Sequence, residues 1–400
     1  MTTKTELSDT YLKIRREDAR RNWESNGFPA VNEEFWRKSK ILSFFKGKQA
    51  YEETPEPEKK GTELSNGLWQ GIWHETAEGI LYGSYAEAVK RVPELVEKYE
   101  KTMPAPRRRN LLDWNLSAFR DGFFLYVPEN TVMSEKLHIV SQYKNLTDST
   151  VHTHNLIILA KGAQARIVWE DTGDAESRFA ATDSTFIHTG EASRLQYIRL
   201  QDINENSALL AMTAHRTEGE AVTEAYIFPL KGGALRNEVH SLLDGPGCRS
   251  EWRGFYWPDH KQHTDLRILT EHNTVRSVSH QFFRGIVNHE AEALFNGYIL
   301  VNRDAQETDA YQQNKHLLLD TRARATAQPF LEIYADNVSC SHGATTGQLD
   351  ESALFYMRQR GLDETTARKM LLEAFLTEII PDLNDEKVTA RLKAYIDSKM

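Results

Sequence analysis

The sequence predicts a mainly β protein with helical regions at both ends. Short β-rich segments such as NLIILA, ARIVWE and RLQYIRL follow one another through the middle of the chain, and helical periodicity is found on either side of them. Glycines recur in the middle at intervals of 28, 29 and 26 residues, at Gly162, Gly190, Gly219 and Gly245. We therefore expect an N-terminal helical region with a linker (1–115), a β core (116–345) and a C-terminal helical domain (346–400).

The N-terminal region contains two predicted helices. Residues 7–25 form the first, because Ser8 or Asp9 can cap it and apolar residues follow in its first turns. A second short helix is predicted from Glu33 to Phe45. The polar stretch Tyr51–Gly61, YEETPEPEKKG, contains two prolines and is expected to be a loop or linker.

The β core is compatible with two architectures. A loose period of this length is typical of a solenoid, in which each coil contributes a few short strands and stacked coils bury one continuous core. The same β-rich segments are also compatible with an antiparallel meander with ordinary hairpins. The pattern by itself favours neither.

The C-terminal region changes to helical periodicity. Asp350 and Asp363 can each cap a helix, and Gly361 can end the first of the two. The second helix carries an apolar stripe at helical spacing: Ala367, Met370, Leu371, Ala374, Phe375 and Ile379. A stripe of this kind either packs on the neighbouring domain or docks a partner.

Composition excludes several classes of function. Acidic residues outnumber basic ones by 58 to 49, for a net charge of -9, so nucleic acid is a poor partner. Mean hydropathy is -0.58 and no apolar run approaches the ~20 residues of a membrane helix, so we expect a cytoplasmic protein without a membrane partner. The sequence lacks a GxxxxGK[ST] phosphate loop, so any ATP hydrolysis must come from another chain.

Cys340 and His342 stand where the β region gives way to helices. On an extended strand both side chains point to the same face. A thiolate and an imidazole can together hold iron or a sulfur species. The spacing alone is weak evidence, since a buried apolar cysteine beside a surface histidine gives the same pattern. The other cysteine, Cys248, matches no motif, and we expect free thiols rather than a disulfide.

Several other histidines have a spacing that is also found among metal ligands. His152 and His154 would share one strand face, and DHKQHTD brings together His260, His263 and Asp265. A mononuclear site needs further ligands from elsewhere in the chain, and such short matches are often fortuitous. We interpret both sets as structural.

The sequence around Cys340 resembles the signature of the SufB/SufD family of scaffolds for iron–sulfur cluster assembly by the SUF system. The segment that carries the resemblance is EIYADNVSCSHGATTGQLDESALFYMRQRG. The resemblance extends from about Gly254 to Ile380 and is patchy before that. Within the family, SHGA is similar to the SufD branch, whereas SufB-type chains carry EHEA at this place. A SufB-type scaffold is the nearest alternative.

The resemblance implies a right-handed parallel β-helix and so favours the solenoid over the meander. It implies a non-catalytic scaffold that acts with a SufB-type paralogue and a SufC-type ABC ATPase. Cys340 and His342 would lie at the interface with the paralogue, as transient metal ligands of a nascent iron–sulfur cluster. The ATPase would bind the C-terminal helices, at Met370, Leu371, Ala374 and Phe375.

The resemblance also bears on cofactors and self-association. No cofactor is expected to stay bound to this chain alone, and the binding of a flavin to the complex is left open. A homodimer of the isolated chain is left open as well.

Two unrelated classes compete with the scaffold. A β-helical carbohydrate-active enzyme would need paired carboxylates and an aromatic groove, for which Trp252, Tyr256 and Trp257 are candidates. A His-ligated metalloenzyme on a small β-barrel is the other alternative.

Overall fold

The computed structural model describes residues 4–30, 32–33, 35–52, 61–104, 109–380 and 383–400, with side chains from residue 11 onward. The helices are α1 (Lys4–Asn26), α2 (Ile41–Phe45), α3 (Tyr85–Arg91), α4 (Pro93–Glu100), α5 (Asn110–Ala118), α6 (Glu351–Gln359), α7 (Glu364–Thr377) and α8 (Glu386–Ser398). The short strands near the N-terminus are β1 (Gln49–Ala50), β2 (Glu63–Ser65), β3 (Leu68–Trp69), β4 (His74–Glu75) and β5 (Leu81–Ser84). The strands of the core are β6 (Phe123–Val127), β7 (Leu137–Tyr143), β8 (Thr147–Leu159), β9 (Gln164–Gly173), β10 (Arg178–Thr189), β11 (Arg194–Asp202), β12 (Ala208–Thr217), β13 (Val222–Lys231), β14 (Ala234–Leu243), β15 (Arg249–Tyr256), β16 (His263–His272), β17 (Val278–Val287), β18 (Glu292–Val301), β19 (Thr308–Leu318), β20 (Arg324–Ile333) and β21 (Val338–Gly347).

The core strands form a parallel solenoid of about seven coils. Successive strands alternate between two sheets: β8, β10, β12, β14, β16, β18 and β20 in sheet A, and β7, β9, β11, β13, β15, β17, β19 and β21 in sheet B. Every strand from β7 to β21 pairs in parallel with the strand one coil away. The predicted mainly β fold and β-helix are confirmed, and the meander is wrong.

The regularly spaced glycines occupy one corner of successive coils. Gly162, Gly190, Gly219 and Gly245 follow β8, β10, β12 and β14 respectively. Backbone hydrogen bonds stack these turns: the Gly162 N–H donates to the Glu191 carbonyl at 2.7 Å, and the Ala192 N–H donates to the Gly219 carbonyl at 2.7 Å. The glycine interval is therefore the length of one coil.

The solenoid interior contains large apolar side chains and a buried ionic group. Large aromatic side chains such as Trp169, Trp252, Phe283 and Phe295 fill the space between the two sheets. A buried arginine, Arg199, donates to Asp171 at 2.8 Å and to Asp183 at 2.7 Å. These bonds compensate the cost of burying the three charges.

Helices cover both outer faces of the solenoid. Apolar residues of α1 to α5 pack on sheet A, against residues such as Phe186 and Leu210. Residues of α7 and α8, including Leu376 and Leu392, pack on sheet B against Phe228. In the residues the structure describes, no helix is long and apolar enough to cross a membrane.

The N-terminal region differs from the prediction in part. Helix α1 agrees with the predicted helix, but the second helix is limited to Ile41–Phe45. The residues before it form turns because Trp36 inserts under Arg236, whose Cζ lies 3.8 Å from the ring centroid. Most of the predicted linker, residues 53–60, lies outside the described residues. Strands β1 to β5 in this region were not predicted.

Candidate functional site

The last coil leaves both sheets with an uncovered edge. Strand β20 ends the order of sheet A and β21 ends that of sheet B, and within the described ranges no strand pairs with their outer sides. Such edges present rows of free N–H and C=O groups that template pairing with another chain. We refer to this end, formed by Arg324–Ile333 and Val338–Gly347, as the open end.

Cys340 and His342 lie on β21 and face the inside of this last coil. The register places Cys340 beside Ala310 and His342 beside Gln312 on β19. Ala310 and Gln312 are fully buried in the solenoid interior, and paired residues of parallel strands point the same way. The two candidate side chains thus share one face, with Cα atoms about 6.7 Å apart.

The two side chains differ in exposure. Cys340 is half-buried against an apolar cluster that includes Ile299 and Ala335, whereas His342 is exposed because no further coil covers it. Burial raises the pKa of the Cys340 thiol, and a backbone hydrogen bond with Ala310 only partly opposes this effect. The thiol is therefore protonated at neutral pH. A metal ion could bind this sulfur only by displacing the proton.

The interior behind His342 is polar. Asn314 donates to the Tyr256 hydroxyl at 3.1 Å, and that hydroxyl bonds His316 Nε2 at 2.8 Å. Both amide atoms of Gln312 are buried without a hydrogen-bond partner among the described residues. Gly297 provides the space for this amide, since a Cβ there would lie 1.6 Å from Gln312 Nε2. Buried polar atoms without partners are costly, and they tend to mark functional regions.

Apolar side chains surround the open end. Phe330 is 41% exposed, Ile333 39% and Tyr334 57%. Exposed apolar residues beside an unpaired strand edge mark a protein interface. Sequence reasoning missed these three residues. The available signal was that PFLEIYADN, which contains all three residues, comes directly before the strand of Cys340 and therefore belongs to the terminal coil.

The predicted apolar stripe on α7 is divided between two roles. Leu371 and Phe375 are partly buried in the cluster that joins α7 to sheet B. Met370 is 47% exposed, and Ala374 is exposed as well. The stripe is therefore core on one side and free on the other.

Helix α6 adds exposed aromatic residues next to α7. Phe355 is 63% exposed and Tyr356 is 59% exposed. Asp350 caps this helix as predicted, accepting from the Ser352 and Ala353 N–H groups. We refer to Phe355, Tyr356 and Met370 as the helical patch.

The paired histidines of β8 are structural. His154 is fully buried, with Nδ1 bonded to Ser184 at 2.6 Å and Nε2 bonded to Glu100 at 2.8 Å. Burial lowers the pKa of His152 to about 3, so its ring stays neutral and bonds Thr182. These bonds hold sheet A together and connect it to α4.

The structure separates His260 from His263 and Asp265, the other two candidate ligands in DHKQHTD. Asp265 is buried and bonds Arg236 at 2.6 Å and Arg267 at 3.0 Å. Burial alone would raise the pKa of Asp265, but the charges of these two arginines hold it at about 2. His263 Nε2 accepts from the Lys40 N–H at 3.3 Å on the outer face of sheet A. His260 lies apart from both, in an exposed turn.

The aromatic candidates for a carbohydrate-binding groove, and the second cysteine, are inaccessible to solvent. Trp252, Tyr256 and Trp257 are all at most 1% exposed, so they cannot line a sugar-binding groove. Cys248 is also fully buried, and burial raises the pKa of its thiol to about 12. Both cysteines are free.

Fold and site together define a class: a two-sheet parallel β-solenoid with helices on both outer faces and a thiol and an imidazole at its open end. Comparison with known proteins identifies the family. Residues 140–375 match the family described as "SUF system FeS cluster assembly, SufBD core domain", and residues 66–139 match "SufBD protein N-terminal region". The chain belongs to the SufBD family.

Named relatives agree with this assignment. The chain is 30% identical over 264 residues to the iron-sulfur cluster assembly protein SufD of Escherichia coli, covering 66% of this chain and 62% of the relative. It is 28% identical over 337 residues to the chloroplastic protein ABCI7 of Arabidopsis thaliana, covering 80% and 68%. It is 22% identical over 326 residues to SufD of Bacillus subtilis, covering 81% and 74%. The chain thus spans less than two thirds of the E. coli relative's length.

Proposed function

We propose that this chain is a non-catalytic, SufD-type scaffold subunit of the SUF machinery. Its task is to pair with a SufB-type paralogue and to present ligands for a cluster that is cargo rather than a resident cofactor. The observation that carries the proposal is the open end, where unpaired edges of two sheets surround Cys340 and His342. A second solenoid of similar cross-section would satisfy both edges by strand addition.

Cys340 and His342 are suited to transient capture. The thiol is protonated while free, so it would give up its proton to bind a metal ion. If it accepts the outer sulfur of a donor persulfide, the S–S bond of the donor breaks and the proton goes to the departing donor thiolate. His342 is exposed and can supply a nitrogen ligand from the same face. Two ligands are too few for a stable cluster, which requires further ligands from the paralogue. In the isolated chain, a second copy would pair with the open end and give a homodimer.

The helical patch is the proposed contact for a SufC-type ABC ATPase. Met370 is exposed on α7, whose opposite face packs on sheet B, and Phe355 and Tyr356 are exposed on the neighbouring helix α6. Of the predicted contact residues, Met370 and Ala374 are free to meet a partner, while Leu371 and Phe375 position the helix.

The cluster role is tested with Cys340→Ser and His342→Ala, separately and combined. The serine removes a soft ligand at nearly constant volume, so the complex should assemble normally while cluster formation falls. The measurement is the activity of a cluster-dependent reporter enzyme in a strain that relies on this pathway, with co-purified partner levels as the control. Cys248→Ser is the matched control variant, since that thiol is buried far from any edge strand. Full reporter activity in the double variant would refute the site assignment.

A further inference from the structure

Two histidines of adjacent coils are stacked at one corner of the solenoid. Asp259 and His260 lie in the turn between β15 and β16, and His289 lies in the turn between β17 and β18. Strands β16 and β18 pair with His263 beside Glu292. His260 and His289 each precede those paired residues by three positions, so the register places one above the other.

The turn that carries Asp259 is locally ordered. His260 has φ of +52° and His289 has φ of +50°, the left-handed conformation that few non-glycine residues adopt. The His260 N–H donates to Asp259 Oδ1 at 2.8 Å, and the Asp259 N–H donates to Gln262 Oε1 at 3.0 Å. These bonds hold the carboxylate beside the two rings.

The three side chains present ligand atoms to one point. The imidazole rings of His260 and His289 are parallel within 5°, with centroids 5.0 Å apart. His289 Nδ1 lies 2.5 Å from Asp259 Oδ1, and one ligand atom from each of the three residues lies within 4.8 Å of the others. Two imidazoles and a carboxylate form a common three-residue ligand set for zinc(II) or iron(II), with water completing the coordination.

The charges at this corner permit a cation. Asp259 supplies a carboxylate, and His289 Nδ1 bonds its Oδ1. Lys399 Nζ lies 3.8 Å from the other carboxylate oxygen, Oδ2, and leaves Oδ1 to the histidines. The His289 side chain is 45% exposed, so an ion can enter from solvent.

We propose that Asp259, His260 and His289 bind a first-row transition-metal dication that links two adjacent coils. The nitrogen-rich ligand set favours zinc(II), iron(II) or cobalt(II) over magnesium and calcium, which prefer all-oxygen sites. An ion bound at Nδ1 would take the place of the hydrogen bond between His289 Nδ1 and Asp259 Oδ1, and the neutral ring would then carry its N–H at Nε2.

The site is tested by titrating the untagged full chain with cobalt(II) and following the visible absorption. The first ion bound per chain should give no thiolate charge-transfer band, because such a band would come from ligation by Cys340. His260→Ala and His289→Ala should each weaken binding at least about tenfold. The matched control is His138→Ala, because His138 is a similarly exposed imidazole, at 49%, that bonds the carboxylate of Glu170 at 3.0 Å.

Thermal unfolding gives an independent readout. Zinc(II) should raise the unfolding temperature of the wild-type chain and of Cys340→Ser, because the ion joins two coils, but not that of His289→Ala. Unchanged cobalt affinity in His289→Ala would overturn the proposal. So would loss of binding in Cys340→Ser, which would locate the ion at the open end, or the absence of binding by the wild-type chain at millimolar cobalt(II).

Discussion

Two substitutions on helix α7 separate its packing on sheet B from its proposed contact with the ATPase. Leu376 is fully buried against sheet B, so Leu376→Ala removes a packed side chain and leaves a cavity. Substitutions of this type cost 2–5 kcal/mol, and we expect about 3 kcal/mol from the free energy of unfolding. Met370 is 47% exposed, so Met370→Ala should change that free energy by less than about 0.5 kcal/mol.

Urea unfolding followed by tryptophan fluorescence measures the free energy of unfolding. Titration calorimetry with the SufC-type ATPase measures the affinity of the chain for that partner. Met370→Glu should leave the urea midpoint unchanged and weaken ATPase binding at least about tenfold, because it places a charge in an apolar contact. Its matched control is Glu373→Gln, a change on the same helix outside the helical patch. A loss of stability in Met370→Ala equal to that in Leu376→Ala would show that Met370 is core. Unchanged binding by Met370→Glu would exclude the helical patch as the ATPase contact.

Two further predictions concern pH and thiol reactivity. Burial lowers the pKa of His152, His215 and His272 to about 3, against about 6.5 in the unfolded chain. A depressed pKa in the folded state means that their contribution to stability is complete above about pH 6.5 and is lost below it, at about 1.4 kcal/mol per pH unit for each ring. The urea midpoint should therefore fall steeply from pH 6.5 to 4, and His152→Gln should flatten that slope; a flat profile in the wild-type chain would contradict the buried neutral rings. In native protein, a thiol reagent should modify Cys340 and leave Cys248 unmodified until the chain unfolds, and equal rates for both would be inconsistent with their burial.

The coil length and the starts of the C-terminal helices could be predicted from the sequence. The interval between Gly162, Gly190, Gly219 and Gly245 is the length of one coil, and the caps at Asp350 and Asp363 start helices as predicted. A solenoid and a meander are built from the same kinds of strand-like segments and turns, however. They differ in which strands pair, a long-range property that no local pattern specifies, so the family resemblance was needed to decide between them.

Other features depended on tertiary packing. Periodicity on α7 gives an apolar arc that includes both Met370 and Leu371, but only the position of sheet B decides which of them is covered. The segment before α2 forms turns because Trp36 packs under Arg236, two hundred residues later in the chain. The stacking of His260 on His289 likewise depends on the register between coils.

The proposed role of the open end is tested most directly by photocrosslinking in the native host. A benzoylphenylalanine at Tyr334, which is 57% exposed at the open end, should crosslink to a SufB-type paralogue. The matched position is Val132, which is 58% exposed at the opposite end of the solenoid, next to Gln164 of β9, and should give no such product. A crosslink to the paralogue from Val132 and none from Tyr334 would contradict the assignment of the open end as the scaffold interface.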